Sequence, residues 1–115
     1  MNDNAQISVI TNDSTVEITG VGALDLYSSD EFGSALKQAA ITAENVVVDL
    51  RAATYIDTAI IADIAVAGNK MLGRGKRLRV LLSAGTHPLR VLETVGFSAL
   101  VDMIVESTEN QGQSI

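Results

Sequence analysis

The chain has no cysteine, no tryptophan, one proline, one histidine and few aromatics, with two tyrosines and two phenylalanines among 115 residues. Each shortage closes off a class of protein. Without cysteine there is no disulfide framework, no thiolate metal site and no cysteine nucleophile. A single histidine with no cysteine leaves zinc without its usual donors. Positive charge is also scarce: eight Lys and Arg against fourteen Asp and Glu give a formal net charge of −6. That balance disfavours nucleic acid and anionic membrane, which both attract cations. No apolar run approaches the roughly 20 residues that span a bilayer. Met1-Asn2-Asp3-Asn4 lacks the basic and apolar regions of a signal peptide. The expectation is a soluble cytoplasmic protein without metal or cofactor.

Aliphatic residues are what the chain has in abundance. Hydrophobic residues make up 47% and charged residues 19%, so a packed core of Val, Ile, Leu and Ala is expected rather than disorder. The length suits one domain. Residues 1–115 are therefore read as a single domain whose polar tail, 107–115, frays.

In chain order, Gln6–Ile10 and Thr15–Thr19 read as two strands of an antiparallel hairpin around the turn-rich Thr11–Ser14. Gly20–Asp25 reads as a glycine loop. Its spacing fits neither a dinucleotide nor a P-loop fingerprint. Ser28-Ser29-Asp30-Glu31 has capping-box spacing, which predicts a helix from about Ser29 to Ala40 with Phe32, Leu36 and Ala39 or Ala40 inward. Val46–Leu50 is β-branched on both alternating faces, as expected of a central strand covered on both sides. After a polar connector, Arg51–Thr58, the residues Ile61, Ile64, Ala65, Gly68, Met71 and Leu72 form one helical stripe. Gly73 and Gly75 end that helix, and Arg74, Lys76, Arg77 and Arg79 surround its end as a solvated basic turn. Leu78–Leu82 is a strand and Ser83–Pro88 a loop. Pro88 opens a last helix, with Leu89, Leu92, Val95 and Val91 apolar and Gly96 as its stop. Val101–Val105 is the final strand. The order predicts an α/β fold: a small mixed sheet packed with helices, the first hairpin antiparallel and the later strands parallel. Sites in such sheets gather beyond the carboxyl ends of the parallel strands. Here that means the loops Gly22–Ser28, Arg51–Thr58 and Ser83–Pro88.

The Asp57-Thr58 pair sits just past the buried strand and at the start of the long helix. One reading is a simple cap, a side-chain oxygen accepting a free amide. The other is a phosphorylation site, since a helix N-terminus tolerates a phosphate through its free N–H groups and dipole. Other constellations are weaker. His87 reads as a helix-start residue, because no Ser–His–acid arrangement assembles around it. Asp25, Asp49, Asp57 and Asp63 share no geometry that would hold magnesium, Asp63 being expected on the solvent face of its helix. Ile60 and Ala62, if exposed, would form a small apolar patch near Thr58.

Tyr55-Ile56-Asp57-Thr58-Ala59 resembles the Asp-Ser-Ser or Asp-Ser-Thr junction of bacterial anti-sigma factor antagonists, which are STAS domains. Gly22-Ala23-Leu24-Asp25 is similar to that family's Gly-Glu-Leu-Asp turn, and Val46–Leu50 to its central strand. Leu82-Ser83-Ala84-Gly85 and Pro88–Phe97 resemble its last loop and helix. The resemblance covers about Ile7 to Val105. It implies the STAS fold and a non-enzymatic, partner-switching role in transcription and stress regulation. The unphosphorylated antagonist binds an anti-sigma factor that is also a Ser/Thr kinase and so frees the sigma factor. Phosphorylation abolishes that binding, and a PP2C-type phosphatase restores it. Carried over residue by residue, Thr58 is the phosphoacceptor. Asp25, Asp57, Thr58, Ala59, Ile60, Gly85 and Thr86 contact the partner.

This chain departs from the pattern in having Thr for the usual Ser, Ala59-Ile60-Ile61 where a glycine commonly follows, and Ala23 for Glu. The first two departures resemble STAS scaffold subunits of stress-sensing complexes (stressosomes), which stand as the alternative. A small-ligand or nucleotide-binding module is the reading from another class. Homodimer and scaffold assembly both remain open.

Overall fold

The computed structural model describes residues 4–107. The tail expected to fray lies, past Ser107, outside the described residues. Six strands are present among the described residues: β1 (Gln6–Asn12), β2 (Thr15–Leu24), β3 (Asn45–Asp49), β4 (Ala53–Ile56), β5 (Leu78–Ser83) and β6 (Val101–Glu106). Three helices accompany them: α1 (Ser29–Thr42), α2 (Thr58–Gly73) and α3 (His87–Thr94). Short 3-10 turns occupy Leu26–Ser28 and Phe97–Ala99. The sheet order is β1-β2-β3-β5-β6, with β4 pairing to β2 off this path. β1 and β2 form the expected antiparallel hairpin, and every other pairing is parallel.

Strand β2 is the longest, and its length corrects the glycine-loop expectation. Thr15–Thr19 pairs with β3, and Gly22–Leu24 then pairs with β4. The two glycines are strand residues. The register shifts between Gly22 and Ala23, where Gly22 has a φ of +83° and its N–H donates to the Ala52 carbonyl at 3.0 Å. A positive φ at a bulge is glycine's ordinary use. The connector Arg51–Thr58 likewise contains β4. Its Thr, Tyr and Ile favour a pleated surface, but four residues between polar neighbours make a faint signal.

The core lies on one face of the sheet. Val46 and Val48 of β3, with Leu78, Val80 and Leu82 of β5, are buried against Phe32 and Leu36 of α1 and Ile60, Ile64 and Met71 of α2. Full burial of each such side chain contributes about 1.5–3 kcal/mol. The alternate residues Val47, Arg79 and Leu81 stay half-buried or exposed. β3 is therefore covered on one face, not both. Its valines on the open side reflect β-propensity as much as burial.

Helix phasing also differs from the stripe predicted for the long helix. The buried residues are Ile60, Ile64, Ala67, Gly68 and Met71, while Ile61 and Ala65 are half-buried and Leu72 is exposed. Adjacent isoleucines allow either phase. Gly68, whose added Cβ would stand 3.0 Å from Val101 Cγ1, is inward in either phase, and the helix start at Thr58 after the Asp57 cap goes with the observed one. In α3, Pro88, Leu89 and Leu92 are buried, but Val95 is 54% exposed because the helix stops at Thr94. Gly96 follows in the left-handed conformation.

Two of the basic-turn residues tie elements together, and a third carries a surface pair. Arg74 Nη1 donates to the carbonyls of Ala40 and Ala43 at 2.8 and 2.9 Å, satisfying the C-terminus of α1 with a cation. Arg77 pairs with Asp102 at 2.6 Å and donates to the Ser98 carbonyl. Lys76 pairs with exposed Glu44. Among the described residues, no helix is long and apolar enough to cross a membrane.

Candidate functional site

Two aspartates end two neighbouring parallel strands. Leu24 pairs with Ile56, and the Asp57 N–H donates to the Leu24 carbonyl at 2.9 Å. Asp25 and Asp57 therefore stand side by side at the carboxyl edge of the sheet, where the loops were expected to gather.

Each aspartate builds its own turn. Asp25 Oδ1 accepts from the N–H groups of Tyr27 and Ser28 and from Ser28 Oγ. That fixes the 3-10 turn Leu26–Ser28 and replaces the capping box expected at Ser28. Ser28 itself has helical dihedrals and makes no side-chain cap bond. Asp57 is extended, with φ −80° and ψ 163°, and its Oδ1 accepts from the Ala59 N–H at 2.9 Å. It is the N-cap of α2, as the sequence indicated. Thr58 occupies the first helical position and is exposed. Its Oγ1 donates to Asp57 Oδ1 at 3.3 Å.

Ile60 does not belong to this surface. It is fully buried (0% exposed) beneath the junction, because the third residue after the cap turns toward the sheet. The apolar contact patch expected from Ile60 is absent, and of that patch only Ala62 is exposed. Apolar exposure lies elsewhere on the rim. Leu26 is 60% and Tyr27 87% exposed in the Asp25 turn. Nothing in the periodicity marked these two, although a Leu-Tyr pair between an aspartate and a helix start is an unusual composition for a solvated loop.

The third loop joins the other two. Gly85 is exposed, with φ +78°. Thr86 is half-buried and precedes α3 without a side-chain cap bond; its Oγ1 instead donates to the Ser83 carbonyl at 2.7 Å. The next residue, His87, reaches the Asp57 junction. Its Nδ1 accepts from the Ile56 N–H at 3.3 Å, and its ring stacks on Tyr55 with centroids 4.7 Å apart. Sequence reasoning placed His87 at a helix start and missed this link.

The remaining aspartates serve the scaffold. Asp49 pairs with Arg51 at 2.9 Å and also accepts from the Arg51 backbone N–H. The Arg51 side chain holds its carboxyl below the usual carboxylate range. Arg51 extends the pairing to Glu106. Asp63 is not on the solvent face. It is half-buried and accepts from Ser29 Oγ at 2.7 Å across the α1–α2 contact. Gly33 leaves room for it, since a Cβ there would stand 2.9 Å from the carboxylate. Burial pushes the Asp63 carboxyl up, opposed by the Ser29 bond. The four aspartates thus lie in different settings, and no group of three metal-ligating side chains occurs among the described residues.

The comparisons with known proteins fit this geometry. The family model described as "Mlab, STAS domain" matches residues 7–104, so the chain belongs to the STAS domain family. No curated protein matches the chain. Among solved structures, an anti-sigma factor antagonist from Mycobacterium paratuberculosis has a TM-score of 0.78 at 15% identity, over 100% of this chain and 97% of that one. The Bacillus cell fate determinant SpoIIAA in its phosphorylated form has a TM-score of 0.66 at 14% identity, over 94% and 96% of the two chains. The anti-sigma factor antagonist SpoIIAA in its unphosphorylated form gives 0.65 at 14%, over 95% and 94%. These neighbours share the mixed sheet with its antiparallel first pair and its helices.

Proposed function

We propose that this protein is an anti-sigma factor antagonist that works by partner switching and is itself no enzyme. The unphosphorylated form binds an anti-sigma factor with Ser/Thr kinase activity and releases the sigma factor. The kinase modifies Thr58, the phosphorylated form no longer docks, and a PP2C-type phosphatase resets it. The observation that carries this reading is Thr58 itself: an exposed hydroxyl at the first position of a 16-residue helix, with an aspartate cap on one side and the Asp25 turn on the other. A hydroxyl there is open to a kinase. A phosphate would stand at the positive end of the α2 dipole, which favours negative charge even though the Ala59 N–H is already held by the Asp57 cap. It would also add about −1.5 to −2 charge beside two carboxylates. A partner packed on this rim would have to bury that charge, which is costly without a matching cation.

The solved neighbours named as antagonists, one of them captured both with and without phosphate, support the same reading by analogy of fold. Asp25, Asp57, Thr58, Ala59, Gly85 and Thr86 form the docking rim, and Leu26 and Tyr27 join it in place of Ile60. The two departures that resemble stressosome scaffold subunits, Thr58 for Ser and Ala59-Ile60-Ile61 without the glycine, stand unchanged, so the scaffold subunit stays the alternative reading. The site acts in the cytoplasm, where such kinases and sigma factors operate. Binding of an anti-sigma factor kinase from the same organism to wild type and Thr58→Glu tests the reading by calorimetry. We expect the substitution to weaken binding at least about tenfold, as expected for a charge placed in a desolvated contact. Equal affinity for both proteins contradicts it.

A further inference from the structure

Strand β4 has one strand partner. Its Tyr55 and Asp57 positions face β2, as the bond from the Asp57 N–H to the Leu24 carbonyl indicates. The Ile56 N–H, between them, points to the opposite edge, where no second strand pairs with β4 among the described residues. A half-buried amide needs an acceptor. It finds His87 Nδ1 at 3.3 Å, from the first residue of α3. An imidazole nitrogen accepts only when it carries no proton. Accepting that bond requires a neutral ring with its hydrogen on Nε2. The Tyr55 ring, stacked at 4.7 Å with the planes 24° apart, holds the imidazole in that orientation.

We infer that His87 is a proton-sensitive brace for the Asp57–Thr58 junction. While Nδ1 is bare, it locks β4 to the loop ahead of α3. The residue after the braced amide is Asp57, the α2 cap. The same loop is closed by the bonds from Thr86 Oγ1 to the Ser83 carbonyl and from Arg90 Nη1 to the Gly85 carbonyl. This hydrogen bond, with the Tyr55 stack, links the Gly85–Thr86 side of the rim to the strand that leads into Asp57 and Thr58. Protonation of Nδ1 turns the acceptor into a donor facing another donor. The bond is lost, the Ile56 amide is freed, and the junction loosens. Histidine is the side chain whose charge ordinarily changes near neutral pH. The other titratable groups on the packed elements do not replace the lost acceptor. Tyr55 on β4 covers the ring face. Arg90 on α3 is directed to Gly85, and Glu93 is exposed. Arg79 of β5 lies on the open face of the sheet. Asp57 holds the Ala59 N–H and the Thr58 hydroxyl through Oδ1, and its carboxylate, an acceptor only, supplies no donor to the ring in place of the Ile56 amide.

The brace stands whether or not Thr58 is phosphorylated. Only its consequence for docking, weaker partner binding at acid pH, rests on the function proposed above. Nitrogen-15 spectra of the uniformly labelled full chain test the brace without any partner. At neutral pH the His87 ring should show a bare Nδ1 and a protonated Nε2, with a cross-hydrogen-bond signal or marked protection at the Ile56 amide. His87→Phe keeps a ring for Tyr55 but has no acceptor, and should lower the Ile56 protection factor about tenfold while β5 amides stay protected. His87→Asn places an oxygen near the Nδ1 position and should restore protection to within about threefold of wild type. Lowering the pH through the His87 titration seen in the same spectra should release the Ile56 amide in wild type and leave His87→Asn unchanged. A proton on Nδ1 in the neutral-pH spectrum overturns the proposal. So does an Ile56 amide equally protected in wild type and in folded His87→Phe. Should His87→Phe not fold, the wild-type tautomer and the acid titration decide the matter on their own.

Discussion

Two aspartate turns stand next to each other in this molecule, and they use the same device for different ends. Asp25 and Asp57 each follow a parallel strand, and each accepts the N–H two residues ahead. The first makes one 3-10 turn, which leaves Leu26 and Tyr27 in solvent, before α1 begins at Ser29. The second propagates into α2 and sends Ile60 into the core. The residues that follow make the difference. After Asp57 comes a helix-forming run with an apolar residue at the position that faces the sheet. After Asp25 comes a Leu-Tyr pair with no core to fill. A hydrogen-bonded start alone does not decide between platform and protrusion; the third residue does. In the docking rim proposed above, the half that carries Thr58 is anchored in the core through Ile60, and the other half exposes Leu26 and Tyr27.

Breaking the anchored half should have the largest effect. Ile60→Ala deletes a fully buried side chain and should cost about 2–4 kcal/mol of stability, read as a lower midpoint in urea unfolding. Leu26→Ala and Tyr27→Ala should each stay within about 0.5 kcal/mol of wild type in the same assay. If Tyr27→Ala destabilises as much as Ile60→Ala, the contrast fails. For partner binding the ranking reverses. Tyr27→Ala should weaken binding to the anti-sigma factor kinase by about 1–2 kcal/mol, roughly tenfold, with no change in the unfolding midpoint.

The caps come next. Asp57→Ala should cost about 1 kcal/mol, because a long helix loses its N-cap acceptor. Asp25→Ala should cost less than about 0.5 kcal/mol, since the turn it closes is short and exposed. Thermal unfolding of the two variants side by side separates them.

The smallest effects concern pH. Ser29 Oγ and Asp63 join the segment after the first turn to the helix of the second. Burial raises the Asp63 carboxyl. Its folded value lies above its unfolded one, so this group stabilises the fold as pH falls through the folded value and opposes folding slightly above it. Asp63→Asn should keep the Ser29 bond and raise the unfolding temperature at neutral pH. Asp49 has the opposite sign. The Arg51 hydrogen bond lowers its folded value. Its contribution is present above the ordinary Asp value and is lost as pH falls through the lower, folded one. Arg51→Gln should therefore flatten the acid limb of a stability–pH profile. An unchanged limb would remove Asp49 from the account.

Much of the fold was legible in the sequence because long periodic segments announce themselves. The α1 inner face of Phe32, Leu36, Ala39 and Ala40 is buried as its spacing indicated, and the antiparallel hairpin, the parallel later strands and a cap at Asp57-Thr58 follow from local chemistry. Features that needed three dimensions were hidden. β4 is too short to show a period, and β2 continues through two glycines that look like a loop until a parallel neighbour is there to pair with. The adjacent isoleucines of α2 gave no phase, so Ile60 was assigned to the wrong surface. His87 gave no local hint that its ring nitrogen serves a strand edge 31 residues away in the chain. Within the candidate site, the aspartates and Thr58 could be read from sequence, whereas the exposed Tyr27 and the His87 link could not.

The central claim is that Thr58 is the switch. Incubation of the purified protein with ATP and the anti-sigma factor kinase from the same organism, followed by tandem mass spectrometry, tests it most directly. The account predicts one added phosphate, located on Thr58, and a modified protein that no longer co-elutes with the kinase. A phosphate placed elsewhere with Thr58 untouched, or a Thr58-phosphorylated protein that still co-elutes with the kinase, would contradict it.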